Sequence, residues 1–325
     1  MNRPRALNPK LVFGFAAFLL IYLSFWYSPV PARKARFPTV PPPTSLDRIL
    51  IGAPHIDDEA IGAAGFISDA VEAGAQVFIV YLTSGDGNRF SAAVLDHTIR
   101  PRRRDLLREG RIRMREAVEA MSILGIPPDH LFFLGYPDGG LQDILAHPGM
   151  LYVSRRTGES TVPYPEALSP GAPYRAGNLR RDFLWVFCRV HPTIVIAPIT
   201  FDAHPDHRAA GLLTRETISG LEPRVRLMGY LVHFHGYPRP FAPTPHHPLL
   251  PPPQFLSSSW SMYSLSAKAL QRKEIALRAY RSQRDSPFLL ALLDSFIKKN
   301  ELFLDEPLPE GTEGERLHCT RSTLG

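Results

Sequence analysis

Cysteine is nearly absent: Cys188 and Cys319 are the only two in 325 residues, far apart and in no CxxC pair. That usage excludes a disulfide framework and a cysteine metal site, and Cys188, inside the apolar run 183–190, reads as a core residue. It leaves the redox compartment open. Charged residues make up 21% and hydrophobic residues 44%, ordinary proportions for a globular protein, which argues against a globally disordered chain. No internal repeat is present, which excludes solenoids and propellers. The first apolar strand is followed by Pro54-His55 rather than G-x-G-x-x-G, and the glycine loop 84–88 lacks G-x-x-x-x-G-K. A nucleotide-dependent transferase therefore has no fingerprint here.

The net charge is +6, and eight arginines crowd residues 100–115. Asp105, Glu109 and Glu116 interleave them, so they read as a solvated helix face, with contact to phosphate or lipid headgroups as the alternative. No nucleic-acid motif accompanies them, which excludes nucleic acid as a partner. One long apolar run exists: Arg3, Arg5 and Lys10 precede 11–27, a stretch without charge that ends in Trp26 and Tyr27. Its length and flanks predict a transmembrane anchor and a single-pass membrane localisation. A cleaved signal peptide is the rival, disfavoured because Val30-Pro31-Ala32 is a poor cleavage site. Arg33, Lys34 and Arg36 leave the orientation open.

The expected organisation is a basic terminus at 1–10, the anchor at 11–27 and a Pro-rich linker at 28–44. A catalytic domain at 45–305 and a flexible tail at 306–325 complete it. Apolar runs at 49–53, 76–82, 130–134, 193–197 and 226–234 read as strands, the last with the alternation of an edge or mixed position. Helical patterns at 59–72, 104–124, 178–189 and 209–218 alternate with them, which predicts an α/β fold with a largely parallel sheet flanked by helices. Residues 266–284 and 288–298 read as closing helices. The irregular segment 142–178 is too long for a simple connection and reads as a functional rim or lid; 238–253 is a second, Pro-rich excursion.

Chemistry concentrates where ligands bind such sheets, at the carboxyl ends of the strands. His55-Ile56-Asp57-Asp58-Glu59 follows the first strand, 84–89 the second, 136–138 the third and 202–207 the fourth. His55 and Asp58, three apart across a strand-to-helix turn, and the distant His207 form a ligand set for a catalytic metal that keeps one position open for water. Asp57 is left free to take the water's proton. His204 is placed to stabilise an oxyanion or protonate the leaving nitrogen, and Asp202 or Asp206 to hold a histidine by its second ring nitrogen.

His55-Ile56-Asp57-Asp58-Glu59 resembles the His-Pro-Asp-Asp-Glu motif of the PIG-L/LmbE-like de-N-acetylases, and 203–207 (AHPDH) resembles their second motif. Arg113-x-x-Glu116 with Leu124-Gly125, and 135–141 (GYPDGGL), also look like family segments. The resemblance covers roughly residues 47–232 apart from the 142–178 insertion, and Ile56 departs from the family's proline. It implies a Rossmann-like fold and a zinc-dependent hydrolase, with ferrous iron also compatible, that removes acetyl from an N-acetylglucosaminyl group in a small molecule, glycolipid or envelope glycan. By position it implies His55, Asp58 and His207 as metal ligands, Asp57 as general base and His204 as oxyanion-stabilising group or acid. Arg113 and Asp138 match substrate-contacting positions. A catalytically inert sugar- or lipid-binding protein on the same fold is the competing reading.

Overall fold

The computed structural model describes residues 37–88, 92–93, 101–220, 225–306 and 319. Strand β1, Arg48–Ala53, is buried from its second residue onward, as its unbroken apolar sequence requires of a strand covered on both faces. It pairs in parallel with β2, Gln76–Thr83, on one side and with β4, Ile194–Pro198, on the other. Beyond β2 lies β3, Leu131–Tyr136, and beyond β4 lies β5, Arg226–Tyr230, both again parallel. Two antiparallel strands extend that edge, β7 (Asn300–Asp305) against β5 and β6 (Trp260–Ser264) outermost, for an order β3-β2-β1-β4-β5-β7-β6.

The connecting helices cover the two faces of the sheet. Helices α1 (Asp58–Glu72) and α2 (Arg103–Ile123) pack with α6 (Ala267–Ala279) in one layer. Helices α3 (Leu141–Ala146), α4 (Ala176–Val190) and α5 (Pro205–Ser219) form the other. The short α7 (Arg281–Arg284) and α8 (Pro287–Ser295) close the first layer. The mixed α/β architecture is the expected one, and β5 does hold the mixed position between a parallel and an antiparallel neighbour. It is shorter than the 226–234 run because the N–H groups of Val232 and His233 donate to the Asp202 carboxylate (3.1 and 3.0 Å). Strands β6 and β7 were not expected from the sequence.

The 142–178 segment begins inside α3 and continues as turns fastened by its own backbone, Tyr152 N to Tyr174 O (2.9 Å) and Tyr174 N to Ser160 O (2.8 Å). Tyr164 and Tyr174 are fully buried beneath it. Two expectations need correction. Cys188 and Cys319 are joined in a disulfide with Cα atoms 5.2 Å apart, a pairing that a separation of 131 residues conceals. The expected membrane localisation is not supported: among the described residues no helix is long and apolar enough to cross a membrane. The stretch 11–27, from which that expectation came, lies outside the described residues, as does most of the expected tail at 306–325.

Candidate metal centre and active site

β1 and β4 are neighbours, yet their chains depart for opposite helix layers, β1 into α1 and β4 into α5. Such a divergence opens a crevice at the carboxyl ends of the two strands. His55 and Asp57 sit in the turn between β1 and α1. Asp57 is the N-cap of α1 with φ 133°, a conformation that L-residues rarely adopt. The turn is closed by Asp58, whose Oδ2 accepts the backbone N–H of His55 (2.9 Å). It is backed from α6 and α7 by Gln283, whose Nε2 donates to the Ile56 carbonyl, and by Tyr280, whose hydroxyl donates to Glu59. Across the crevice His204 caps α5 and Pro205 opens its first turn, where a missing N–H costs nothing. His204 Nδ1 accepts from Asp206 N (3.2 Å), so a neutral His204 ring carries its proton on Nε2.

These two turns bring three atoms together. His55 Nδ1 lies 3.3 Å from Asp58 Oδ2, His207 Nε2 lies 3.1 Å from the same oxygen, and the two ring nitrogens are 3.3 Å apart. Each histidine's outer nitrogen meets a carboxylate: His55 Nε2 is 3.3 Å from Asp206 Oδ2, and His207 Nδ1 is 3.3 Å from Asp202 Oδ2. The first contact has the form of a carboxylate–histidine–metal relay, whereas the second is an ion-pair approach without hydrogen-bond alignment. Donors at about 2.0–2.2 Å from a tetrahedral cation stand roughly 3.3–3.6 Å apart, so the triangle fits a first-row ion after small adjustments.

Electrostatics point the same way. Burial alone would depress His207, but Asp58 and Asp202 overcome it and lift its pKa to about 9. Burial likewise opposes His55, which Asp138, Asp206 and Asp58 raise well above its ordinary value. Burial would raise Asp58, yet His207 and His55 hold it well below the usual range. The centre therefore demands positive charge, which protons or a cation can supply. Asp57, buried beside Asp58, is pushed well above its ordinary value. His204 is lowered to about 4 by burial and by the neighbouring His55 and His207.

Asp138 reaches the crevice from the loop after β3: its Oδ1 is 3.5 Å from His55 Nε2, and its Oδ2 accepts Gly87 N (3.1 Å). That loop is pinned at both ends. Asp206 accepts Gly139 N (2.7 Å) and Leu141 N (3.0 Å), while Asp86 accepts Asp138 N (3.2 Å) and the Tyr164 hydroxyl (2.7 Å). Arg113 comes from α2, is buried, and lies against Gly85 with its charge felt by both Asp57 and Asp138. Its carboxylate neighbour is Glu109 (3.4 Å), because Glu116 instead accepts from Ser282 N and Oγ (3.0 and 2.6 Å). All seven residues singled out in the sequence thus surround one crevice. One more imidazole stands there unforeseen: His233, whose ring centroid is 4.6 Å from that of His207 and 5.2 Å from that of His204. The signal for it was its place at the carboxyl end of the fifth strand, obscured by reading that strand through residue 234.

Comparison with known proteins accords with this geometry. The family model described as PIG-L: GlcNAc-PI de-N-acetylase matches residues 50–218, more than half of the chain. Diacetylchitobiose deacetylase of Thermococcus kodakarensis is 24% identical over 189 residues, 57% of this chain and 54% of that relative, so the match spans about half of the relative's length. The crystal structure of A40926 pseudoaglycone deacetylase shares the fold at TM-score 0.52 and 18% identity, over 80% of this chain and 96% of that one. The zinc-inhibited form of teicoplanin deacetylase does so at TM-score 0.50 and 16% identity, over 79% and 97%. On its motifs, their order and the extent of the family match, the chain belongs to the PIG-L family of de-N-acetylases.

Proposed function

We propose that the protein is a metal-dependent deacetylase that hydrolyses the acetamide of an N-acetylglucosaminyl-type substrate, free or within a glycan or glycolipid. The observation that carries this reading is the triangle of His55 Nδ1, Asp58 Oδ2 and His207 Nε2 at 3.1–3.3 Å, with both outer ring nitrogens backed by carboxylates. His55, Asp58 and His207 would hold the ion; two imidazoles and a carboxylate suit zinc, and ferrous iron also fits. A bound divalent cation supplies Lewis acidity, which polarises the amide carbonyl and acidifies water.

Asp57 accepts the proton of the attacking water as its oxygen bonds to the acyl carbon, and returns that proton to the nitrogen as the C–N bond breaks. The products are acetate and a free amine. A cation beside Asp57 would favour its ionised form, against the burial that raises it. His204 donates from Nε2–H to the oxygen on which negative charge develops, a role for a neutral ring whose other nitrogen is already an acceptor. Arg113 and Asp138 hydrogen-bond the sugar. The relatives' printed names support the substrate class, since they describe deacetylases of diacetylchitobiose, teicoplanin and a pseudoaglycone. Acetate release from a panel of N-acetylglucosaminides tests the reading: activity lost to a chelator and restored by zinc or ferrous iron supports it, and no release from any member contradicts it.

A further inference from the structure

Resting on that reading, we propose that His233 is a second imidazole that touches the scissile amide, beside His204. The His204 ring offers a nitrogen that lies within 4.8 Å of ligand atoms of both His55 and His207. A nitrogen of His233 stands in the same relation to Asp58 and His207. The two imidazoles therefore stand beside different pairs of the three candidate ligands, His204 by His55 and His207, and His233 by Asp58 and His207. His207 is wholly buried, whereas His204 and His233 both keep exposed surface, which places them between the triangle and solvent, where a substrate must enter.

The backbone around His233 is rigid. Its N–H donates to Asp202 Oδ2 (3.0 Å) and its carbonyl accepts Ala203 N (2.7 Å), so the carboxylate behind His207 also fixes the position of His233. Its ring, by contrast, makes no hydrogen bond among the described residues, unlike the rings of His55, His204 and His207. A polar ring held in a fixed place with its nitrogens uncommitted is what a substrate contact requires. Amide hydrolysis presents two polar atoms, the acyl oxygen and the departing nitrogen. With His204 directed to one, His233, its ring centroid 5.2 Å from that of His204, is placed to hydrogen-bond the other.

The test compares His233→Phe, which keeps the ring and removes its nitrogens, with His233→Asn, which restores a polar atom. In zinc-loaded protein, both variants are expected to keep the wild-type metal content by elemental analysis. Turnover should separate them: kcat/KM on the best N-acetylglucosaminide falls at least about tenfold in His233→Phe, chiefly in kcat, and partly recovers in His233→Asn. Wild-type kcat/KM in His233→Phe overturns the inference, and so does loss of metal from that variant, which would make His233 a ligand or a support. A wild type that releases no acetate from any substrate overturns the functional reading and this inference with it.

Discussion

Asp57 holds φ 133°, a backbone state that costs an L-residue about 1–3 kcal/mol and that the surrounding hydrogen bonds impose. The strain places its carboxylate beside the ligand triangle, where burial also opposes ionisation. Asp57→Gly is therefore expected to melt at a higher temperature than wild type while turnover falls by about 10²–10⁴, the usual contribution of a general base; equal activity would remove Asp57 from the chemistry. A second residue-scale prediction concerns Asp86, lifted to about 6 by burial despite the Tyr164 hydrogen bond. Between pH 3.8 and 6 the folded chain keeps a proton that the unfolded chain releases. Its contribution is thus fully present below the lower value and lost as pH rises through the upper one, by up to about 3 kcal/mol. Asp86→Asn lacks this dependence, so its melting temperature relative to wild type should climb from pH 4 to 6.5, and a flat difference would contradict the assignment. At this scale the sequence disclosed residue types and spacing but not partners: Glu109 and Glu116 are both one helical turn from Arg113, and only packing decides that Glu109 faces it.

Among elements, α5 carries His204 and His207 to the crevice, and its distance from β4 is set by Gly211. A Cβ there would stand 2.5 Å from the Pro198 carbonyl oxygen and 3.3 Å from the Ile199 carbonyl carbon, so rigid backbone must shift. Gly211→Ala is expected to displace the start of α5, lowering both melting temperature and metal affinity; unchanged affinity would show that the helix tolerates the shift. On the other layer, a buried ion pair joins α1, α6 and β7. Lys273 Nζ contacts Glu301 Oε1 (2.8 Å) and the Ile61 carbonyl (2.8 Å), while Glu301 accepts from Gly65 N and Phe66 N (2.8 Å each). Glu301→Ala leaves the ammonium uncompensated and should cost about 3–5 kcal/mol in denaturant unfolding, whereas Lys273→Met with Glu301→Leu should cost much less. The first five strands were legible because each is a buried apolar run ending at a polar turn. β6 and β7 were not: one follows a Pro-rich excursion, and the other, with Glu301 buried at its second position and Asp305 at its end, carries no strand periodicity.

Across the whole molecule, the family match ends at residue 218, yet the turn bearing His55 is braced by Tyr280 and Gln283 from beyond it. The disulfide gives the far end of the chain a second attachment, tying Cys319 to α4. A loop of that length restricts the unfolded chain by up to about 5 kcal/mol, so Cys319→Ser should lower the unfolding midpoint in non-reducing buffer and leave it unchanged in reducing buffer. The proposed function depends on one ion held between the turn after β1 and the start of α5. Elemental analysis of purified protein after incubation with zinc and removal of excess tests this most directly. One ion per chain is expected in wild type and in Asp57→Asn, and none in His55→Ala, Asp58→Ala or His207→Ala; a wild type without stoichiometric metal, or a His207→Ala variant that keeps it, would overturn the shared site.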